Sequence, residues 1–275
     1  MKIEVLADAE AVARRAAALI AERAREAVAK RGRFSLAMSG GTTPRLMLRF
    51  LAEEDVPWPQ VHLFQVDERV APAGHPDRNL TQLIASLLGT VPLSAEHLHA
   101  MPVEALDLLE AASRYAAELR CITGSPALLD LVHLGLGADG HTASLVPGDP
   151  ALQVTGADVA VTGLYQGRRR MTLTYPVIDR ARQILWVVTG PDKAPALGRL
   201  RRDDHTIPAG CVRSDRAIII ADAAAAGNRA EGDEPLSCDV RGNDRDGAVH
   251  PDAHEPFAKV SFMVDRLTPN GKIPE

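Results

Sequence analysis

The chain alternates short apolar runs with longer stretches of helical period. Ile3–Leu6, Phe34–Met38, Val61–Val66, Leu128–Leu136, Gln183–Thr189 and Arg216–Ala221 are apolar runs of strand length. Between them, apolar positions recur three and four apart over about Asp8–Lys30, Pro44–Glu53, Asn79–Leu88, Leu106–Ile122 and Pro191–Arg202. Asp8 is placed to cap the first helix, because a carboxylate there accepts N–H groups that have no partner inside the helix. Pro44 is expected at the first position of the second helix, where its missing N–H costs nothing. This alternation predicts an α/β protein: one domain with a mostly parallel central sheet flanked by helices on both faces. In such sheets ligands bind beyond the carboxyl ends of the strands.

The pattern stops near Ala226. From Gly227 onward, ten acids against six Lys/Arg give the segment a net charge of −4 and leave −1 on the first 226 residues. Residues 227–255 carry Gly, Pro, Asn and Asp with almost no apolar pattern, which predicts a weakly packed, irregular acidic tail. Phe257–Val264 is apolar enough to dock as a short element. Two parts are therefore expected, a folded body over 1–226 and a polar tail over 227–275.

Composition narrows the partners. A formal net charge of −5 in 275 residues argues against nucleic-acid binding, and 4% aromatic residues leave few stacking platforms for single strands. No apolar run reaches 18 residues, so no membrane span is expected. Acids stand in the first eight residues, where a signal peptide would be apolar. Cys121, Cys211 and Cys238 are few, odd in number and widely spaced, which fits neither a disulfide framework nor a zinc site. A reduced, cytoplasmic protein is the expectation.

Five polar clusters fall where strands end or begin. Ser39-Gly40-Gly41-Thr42-Thr43-Pro44 follows the second strand and opens a helix. Its glycines admit a ligand to the backbone, and the helix turns its N–H groups toward the same spot, as a phosphate cradle requires. It lacks the Gly-Lys-Ser/Thr of a P-loop. Asp67-Glu68-Arg69 ends the third strand and, taken alone, reads as solvated charge. Gly135-Leu-Gly137-Ala-Asp139-Gly140-His141-Thr142 follows the fourth and matches G-x-G-x-x-G, with Asp158 eighteen residues beyond its last glycine. A dinucleotide site would need a crossover helix there, and Pro147 comes too early for one. The better reading is a glycine-stripped rim presenting Asp139 and His141, histidine being the side chain best suited to move protons near neutral pH. His62 and His133, inside apolar strands, read as satisfied core histidines. Arg168-Arg169-Arg170-Met171-Thr172 opens a strand, and Gly190-Pro191-Asp192-Lys193-Ala194 opens a helix, where an anion would offset the unfavourable lysine. All five clusters are expected to converge on one edge of the sheet.

In this order the clusters resemble the 6-phosphogluconolactonase family, over about Ile3–Ala226. The run Gly140-His141-Thr142-Ala143-Ser144-Leu145 is the most specific piece. Two positions depart from the usual pattern: Arg78 precedes Asn79 where Ser is common, and Val146 replaces a common Phe. The resemblance implies a Rossmann-like fold shared with glucosamine-6-phosphate deaminases and ribose-5-phosphate isomerases. It also implies hydrolysis of 6-phospho-D-glucono-1,5-lactone to 6-phosphogluconate, the second step of the oxidative pentose phosphate pathway. No metal or organic cofactor is implied, and the chain shows no metal-ligand spacing. On this reading His141 is base and then acid, with Asp139 or Asp67 orienting its ring. Arg69 counters developing negative charge. Ser39, the Gly40, Gly41 and Thr42 amides, Arg170 and Lys193 hold the substrate phosphate. The partner is then a small sugar-phosphate lactone, with neither nucleic acid nor membrane involved, and a monomer is expected. Two rivals are an amino-sugar phosphate deaminase or isomerase on the same fold, and a non-catalytic sugar-phosphate sensor. The Thr-Ala-Ser run after His141 and the Arg after Asp67-Glu68 oppose the first. The second would need a DNA-binding module.

Overall fold

The computed structural model describes residues 1–227, Leu88 excepted; the expectations for the tail after Gly227, for Phe257–Val264 and for Cys238 lie outside that range. Strand β1 (Lys2–Leu6) leads into α1 (Ala9–Arg31), with Asp8 as its N-cap accepting Ala11 N–H at 2.8 Å. Next come β2 (Phe34–Met38), α2 (Thr42–Leu51), β3 (Val61–Gln65), β4 (Asp67–Arg69) and α3 (Asn79–Leu87). The two-residue β5 (Leu98–His99), α4 (Leu108–Thr123), β6 (Leu131–Leu134), β7 (Val159–Val161) and β8 (Arg170–Leu173) follow. Finally α5 (Tyr175–Arg180), β9 (Ile184–Val188), α6 (Ala194–Leu200) and β10 (Ala217–Asp222) complete the described chain.

Seven strands form one sheet in the order β1-β10-β9-β6-β2-β3-β5, every pair parallel. A second, antiparallel sheet of order β4-β8-β7 was not foreseen, because strands of three and four residues are too short to show a period. The apolar side chains divide between the two faces of the large sheet. On one face α1 lays down Val12, Ala16, Ile20 and Ala24 against Leu36, Leu63, Leu185 and Ile220, with α2 adding Met47 and Leu51. Small alanines let this 23-residue helix lie close. On the other face Tyr115 and Leu119 of α4, Ile178 of α5 and Leu197 of α6 pack with Phe64, Trp186 and Ile219. Met171 and Leu173 of the small sheet join this second core.

Several boundaries move. Helix α2 starts at Thr42, two residues before Pro44, since Gly41 at φ 123° turns the chain out of the strand earlier. Pro44 then stands third, still among the positions whose N–H has no intrahelical acceptor. The segment expected as one helix from Pro191 is a 3₁₀ turn, Pro191–Lys193, leading into α6. Asp67 and Glu68, which taken alone read as solvated charge, are buried in β4. His133 is buried as expected, but neither ring nitrogen has a hydrogen-bond partner among the described residues. His62 is satisfied, its Nδ1 lying 3.1 Å from His99 Nε2. Among the described residues no helix is long and apolar enough to cross a membrane.

Candidate active site

Neighbouring strands β2 and β6 lead the chain away in opposite directions across the large sheet, β2 toward β3 and β6 toward β9. The crevice beyond their carboxyl ends is where a parallel sheet leaves room for a ligand. Ser39, first residue after β2, donates from Oγ to the His133 carbonyl of β6 at 3.1 Å, closing the floor between the strands. Gly40 is required by crowding: a Cβ there would overlap the Asn79 side chain. Gly41 caps α2 and, having no side chain, makes no capping hydrogen bond to the first-turn N–H groups of Thr42 and Thr43. Thr43 Oγ1 lies 2.7 Å from Thr189 Oγ1, tying this loop to the end of β9. One residue further on, Asp222 of β10 accepts the Gly190 N–H at 3.0 Å and fixes the loop that carries Lys193. Lys193 Nζ pairs with Asp192 at 3.0 Å.

The Asp67-Glu68-Arg69 cluster forms the adjoining wall. Glu68 accepts the Asn79 and Leu80 N–H groups at 2.8 Å each, the Arg69 N–H at 2.8 Å and Gln65 Nε2 at 2.9 Å, and forms an ion pair with Arg78, whose Nε stands 3.2 Å away without hydrogen-bond geometry. A buried carboxylate is tolerable with that many donors, and two of them are first-turn donors of α3. Arg78, the residue that departs from the family pattern, is a partner of this buried acid. Asn79 donates from Nδ2 to the Asp67 carbonyl at 2.9 Å and accepts Arg69 Nη1 at 3.0 Å. Asp67 Oδ2 accepts the Ser144 hydroxyl at 2.6 Å. Burial pushes the Asp67 carboxyl above its ordinary value, against the Ser144 hydrogen bond and the charges of Arg69 and Arg170, which favour the ionised form.

Beyond β6 the glycine-rich turn brings Asp139 and His141 together. Asp139 Oδ1 accepts His141 Nδ1 at 2.6 Å and the His141 backbone N–H at 3.1 Å. Gly137 makes room for the pair, since a Cβ there would overlap both His141 Nδ1 and Asp139 Oδ1. Between this turn and β7 there is only the short 3₁₀ segment Pro150–Gln153 and no α-helix, so the dinucleotide alternative falls. Desolvation alone would raise the Asp139 carboxyl, but hydrogen bonds from the His141 backbone, the His141 ring and Tyr165 outweigh it and hold it below its ordinary value. An ionised Asp139 on Nδ1 fixes the tautomer with the proton there, leaving Nε2 as the basic nitrogen. Asp67, the other proposed orienter, binds Ser144 and Asn79 instead of the ring.

Arg170 completes the constellation. Its residue is 4% exposed, its Nη2 donates to Gln166 Oε1 at 3.1 Å, and Nη1 lies 3.5 Å from Ser144 Oγ. Its Nε is buried with no partner among the described residues. The structure thus joins the clusters through Ser39–His133, Thr43–Thr189, Asn79–Asp67, Asp67–Ser144 and Ser144–Arg170 contacts. Sequence reasoning missed Tyr165, Gln166 and Ser144 as site residues. Gln166-Gly167 between two β-prone stretches was the available signal for the turn that carries two of them. Among the described residues no three of His, Cys, Asp and Glu are grouped so as to hold a metal ion.

A family model described as glucosamine-6-phosphate isomerases/6-phosphogluconolactonase matches residues 7–220. The 6-phosphogluconolactonase of Nostoc sp. is 36% identical over 232 residues, covering 81% of this chain and 96% of that protein. Among solved structures, the 6-phosphogluconolactonase from Thermotoga maritima superposes with a TM-score of 0.72 at 24% identity, covering 80% and 98% of the two chains. A monomeric glucosamine-6-phosphate deaminase superposes with a TM-score of 0.73 at 19% identity, covering 83% and 100%. At those identities the two structures speak for the fold alone.

Proposed function

This chain belongs to the glucosamine-6-phosphate isomerase/6-phosphogluconolactonase family, and we propose that its reaction is hydrolysis of 6-phospho-D-glucono-1,5-lactone to 6-phosphogluconate. The observation that carries the reading is the His141–Asp139 pair, which leaves Nε2 as a base, with the Arg170 guanidinium reached from the His141 ring through Tyr165 and Arg69 paired with Arg170 across β4 and β8. Water attacks the C1 carbonyl as its proton passes to Nε2, and the carbonyl electron pair moves onto oxygen. Arg69 counters that charge. Collapse of the adduct expels the ring oxygen, which takes the proton back from Nε2 and becomes the free 5-hydroxyl. The new carboxylic acid ionises into solvent. Ser39, the Gly40–Thr42 amides, Arg170 and Lys193 hold the phosphate, far from C1, so that binding energy positions the lactone. The reaction needs no cofactor, runs in the cytoplasm as part of the pentose phosphate pathway, and is performed by a monomer whose catalytic body is residues 1–226.

The rival is amino-sugar phosphate deamination, since the family spans both activities. Against it stands Ser144, whose hydroxyl occupies Asp67 Oδ2 at 2.6 Å and leaves that carboxylate engaged. Assay on freshly generated phosphogluconolactone, with ammonia release from glucosamine 6-phosphate as the parallel arm, separates them. Turnover of the lactone without ammonia release is expected; ammonia release alone would overturn the proposal.

A further inference from the structure

Strands β7 and β8 are joined by a hairpin whose tip reaches over the site. Tyr165 and Arg168 exchange backbone hydrogen bonds of 3.0 and 3.2 Å around Gln166 and Gly167. Both central residues have positive φ, 52° and 77°, the signature of a tight type I′ turn. Positive φ is unfavourable for glutamine, so its place at the tip has a cost that its contacts must offset. The neighbouring Leu164 is 77% exposed, so little apolar burial anchors this tip.

What the tip does touch is the site. The Tyr165 hydroxyl donates to Asp139 Oδ2 at 3.0 Å, the carboxylate oxygen that His141 leaves free, and the ring stands edge-on to the His141 ring with centroids 5.6 Å apart. Burial and the adjacent Asp139 push the hydroxyl above its ordinary value, so it keeps its proton as a donor at neutral pH. On its other side the Tyr165 ring carries the Arg170 guanidinium, 4.9 Å from the centroid, while Gln166 accepts from the same guanidinium. Among the described residues the titratable groups that contact the His141 ring are Asp139 on its own loop and Tyr165 on the hairpin, and Arg170 on β8 reaches it through Tyr165. Behind Ser144 stand Asp67 and Arg69 on β4.

We infer that Tyr165 is a positioning residue that holds the Asp139 carboxylate and the Arg170 guanidinium in one unit, joining the proton-transfer half of the site to its anion-binding half. The inference rests on the roles proposed above for His141 and Asp139. Its hydroxyl draws charge off Asp139; without it the carboxylate stabilises the His141 imidazolium more strongly, and the ring loses its proton at higher pH.

The test compares Tyr165→Phe, Tyr165→Leu and the parent by NMR titration of the His141 ring and by the pH profile of kcat/KM. In Tyr165→Phe the ring's titration midpoint and the acid limb are both expected to rise by about 0.4–1 pH unit, the range one lost hydrogen bond allows. Its kcat should fall about 2–10-fold with KM nearly unchanged, because the ring remains under Arg170. Tyr165→Leu removes the ring as well, and inhibition by inorganic phosphate should weaken by a further ~3–10-fold. Should that variant fail to fold, Gln166→Ala probes the same guanidinium. An unmoved midpoint in Tyr165→Phe overturns the link to Asp139, and unchanged phosphate inhibition in the second variant overturns the link to Arg170. A parent without lactone turnover would sink the proposed reaction, while the NMR titration would still decide the role of Tyr165.

Discussion

Arg69 and Arg170 stand directly opposite each other on the antiparallel pair of β4 and β8. Residues so placed project from the same face of a ladder, and like charges there repel. Burial first, and then Arg69 itself, pull the Arg170 guanidinium below its ordinary value, with Asp67 opposing. Arginine nevertheless stays protonated in proteins, so an anion that enters beside the pair relieves the repulsion that Asp67 opposes. Phosphate should therefore raise the Tm of the parent, since a ligand that binds only the folded state stabilises it. Arg170→Ala and Lys193→Ala should each need roughly 10–100-fold more phosphate for the same shift, the scale of one lost charged contact. Slow hydrolysis of unphosphorylated gluconolactone should barely change. Equal losses on both lactones would place these residues at the carbonyl or in folding.

Removal of the His141 imidazole should separate chemistry from stability. The side chain sits on a turn and is about a quarter exposed, so His141→Ala should unfold at nearly the parental denaturant midpoint. Turnover should drop by about 10² or more, the usual scale for losing a general base. A folded variant with parental turnover would move the base elsewhere.

Gly137 offers the same test without touching a functional group. The methyl of Gly137→Ala collides with His141 Nδ1 and Asp139 Oδ1, so the pair must part. Turnover should fall by one to two decades, roughly the cost of ångström-scale misplacement, while phosphate still protects against thermal unfolding. Undiminished kcat would show that the contact between the two side chains is dispensable.

His133 should make the fold sensitive to acid. Burial lowers its imidazole from 6.5 to about 4. The unfolded chain therefore binds the proton more readily between those values, and stability present above pH 6.5 is lost as pH falls toward 4. At pH 5 this one side chain should cost about 2 kcal/mol relative to pH 7. His62, lowered to about 4 by desolvation and by His97, His99 and Arg33, pushes the same way. Urea unfolding at both pH values should show a flatter dependence in His133→Leu, with no loss at pH 7, because among the described residues neither ring nitrogen has a hydrogen bond to forfeit. A variant with the full parental slope would place the acid sensitivity in other groups.

Much of this architecture was legible in the chain because β2, β3, β9 and β10 are mostly apolar runs of strand length and α1 is rich in alanine and opens on the Asp8 cap. Burial of Glu68 was not, since its donors come from Asn79 and Leu80 and no local pattern announces them. Nor could spacing choose between Asp67 and Asp139 as the neighbour of the His141 ring. The choice depends on Ser144, 77 positions from Asp67 in sequence and 2.6 Å away in space. Tyr165 escaped for a related reason: its hydroxyl meets a residue 26 positions earlier, across a turn whose strands are too short to predict.

The edge strand β1 has a single neighbour in the sheet, β10, the last strand described. A chain leaving the ribosome amino end first thus emerges with a strand that must wait more than two hundred residues for its mate. The same late strand supplies Asp222, which pins the loop bearing Lys193. Nascent and prematurely terminated chains that stop before β10 consequently lack both the sheet edge and the anchored lysine. Release of β10, the last strand described, from the exit tunnel is therefore the step that completes both the β1 edge and the anchor of the lysine loop.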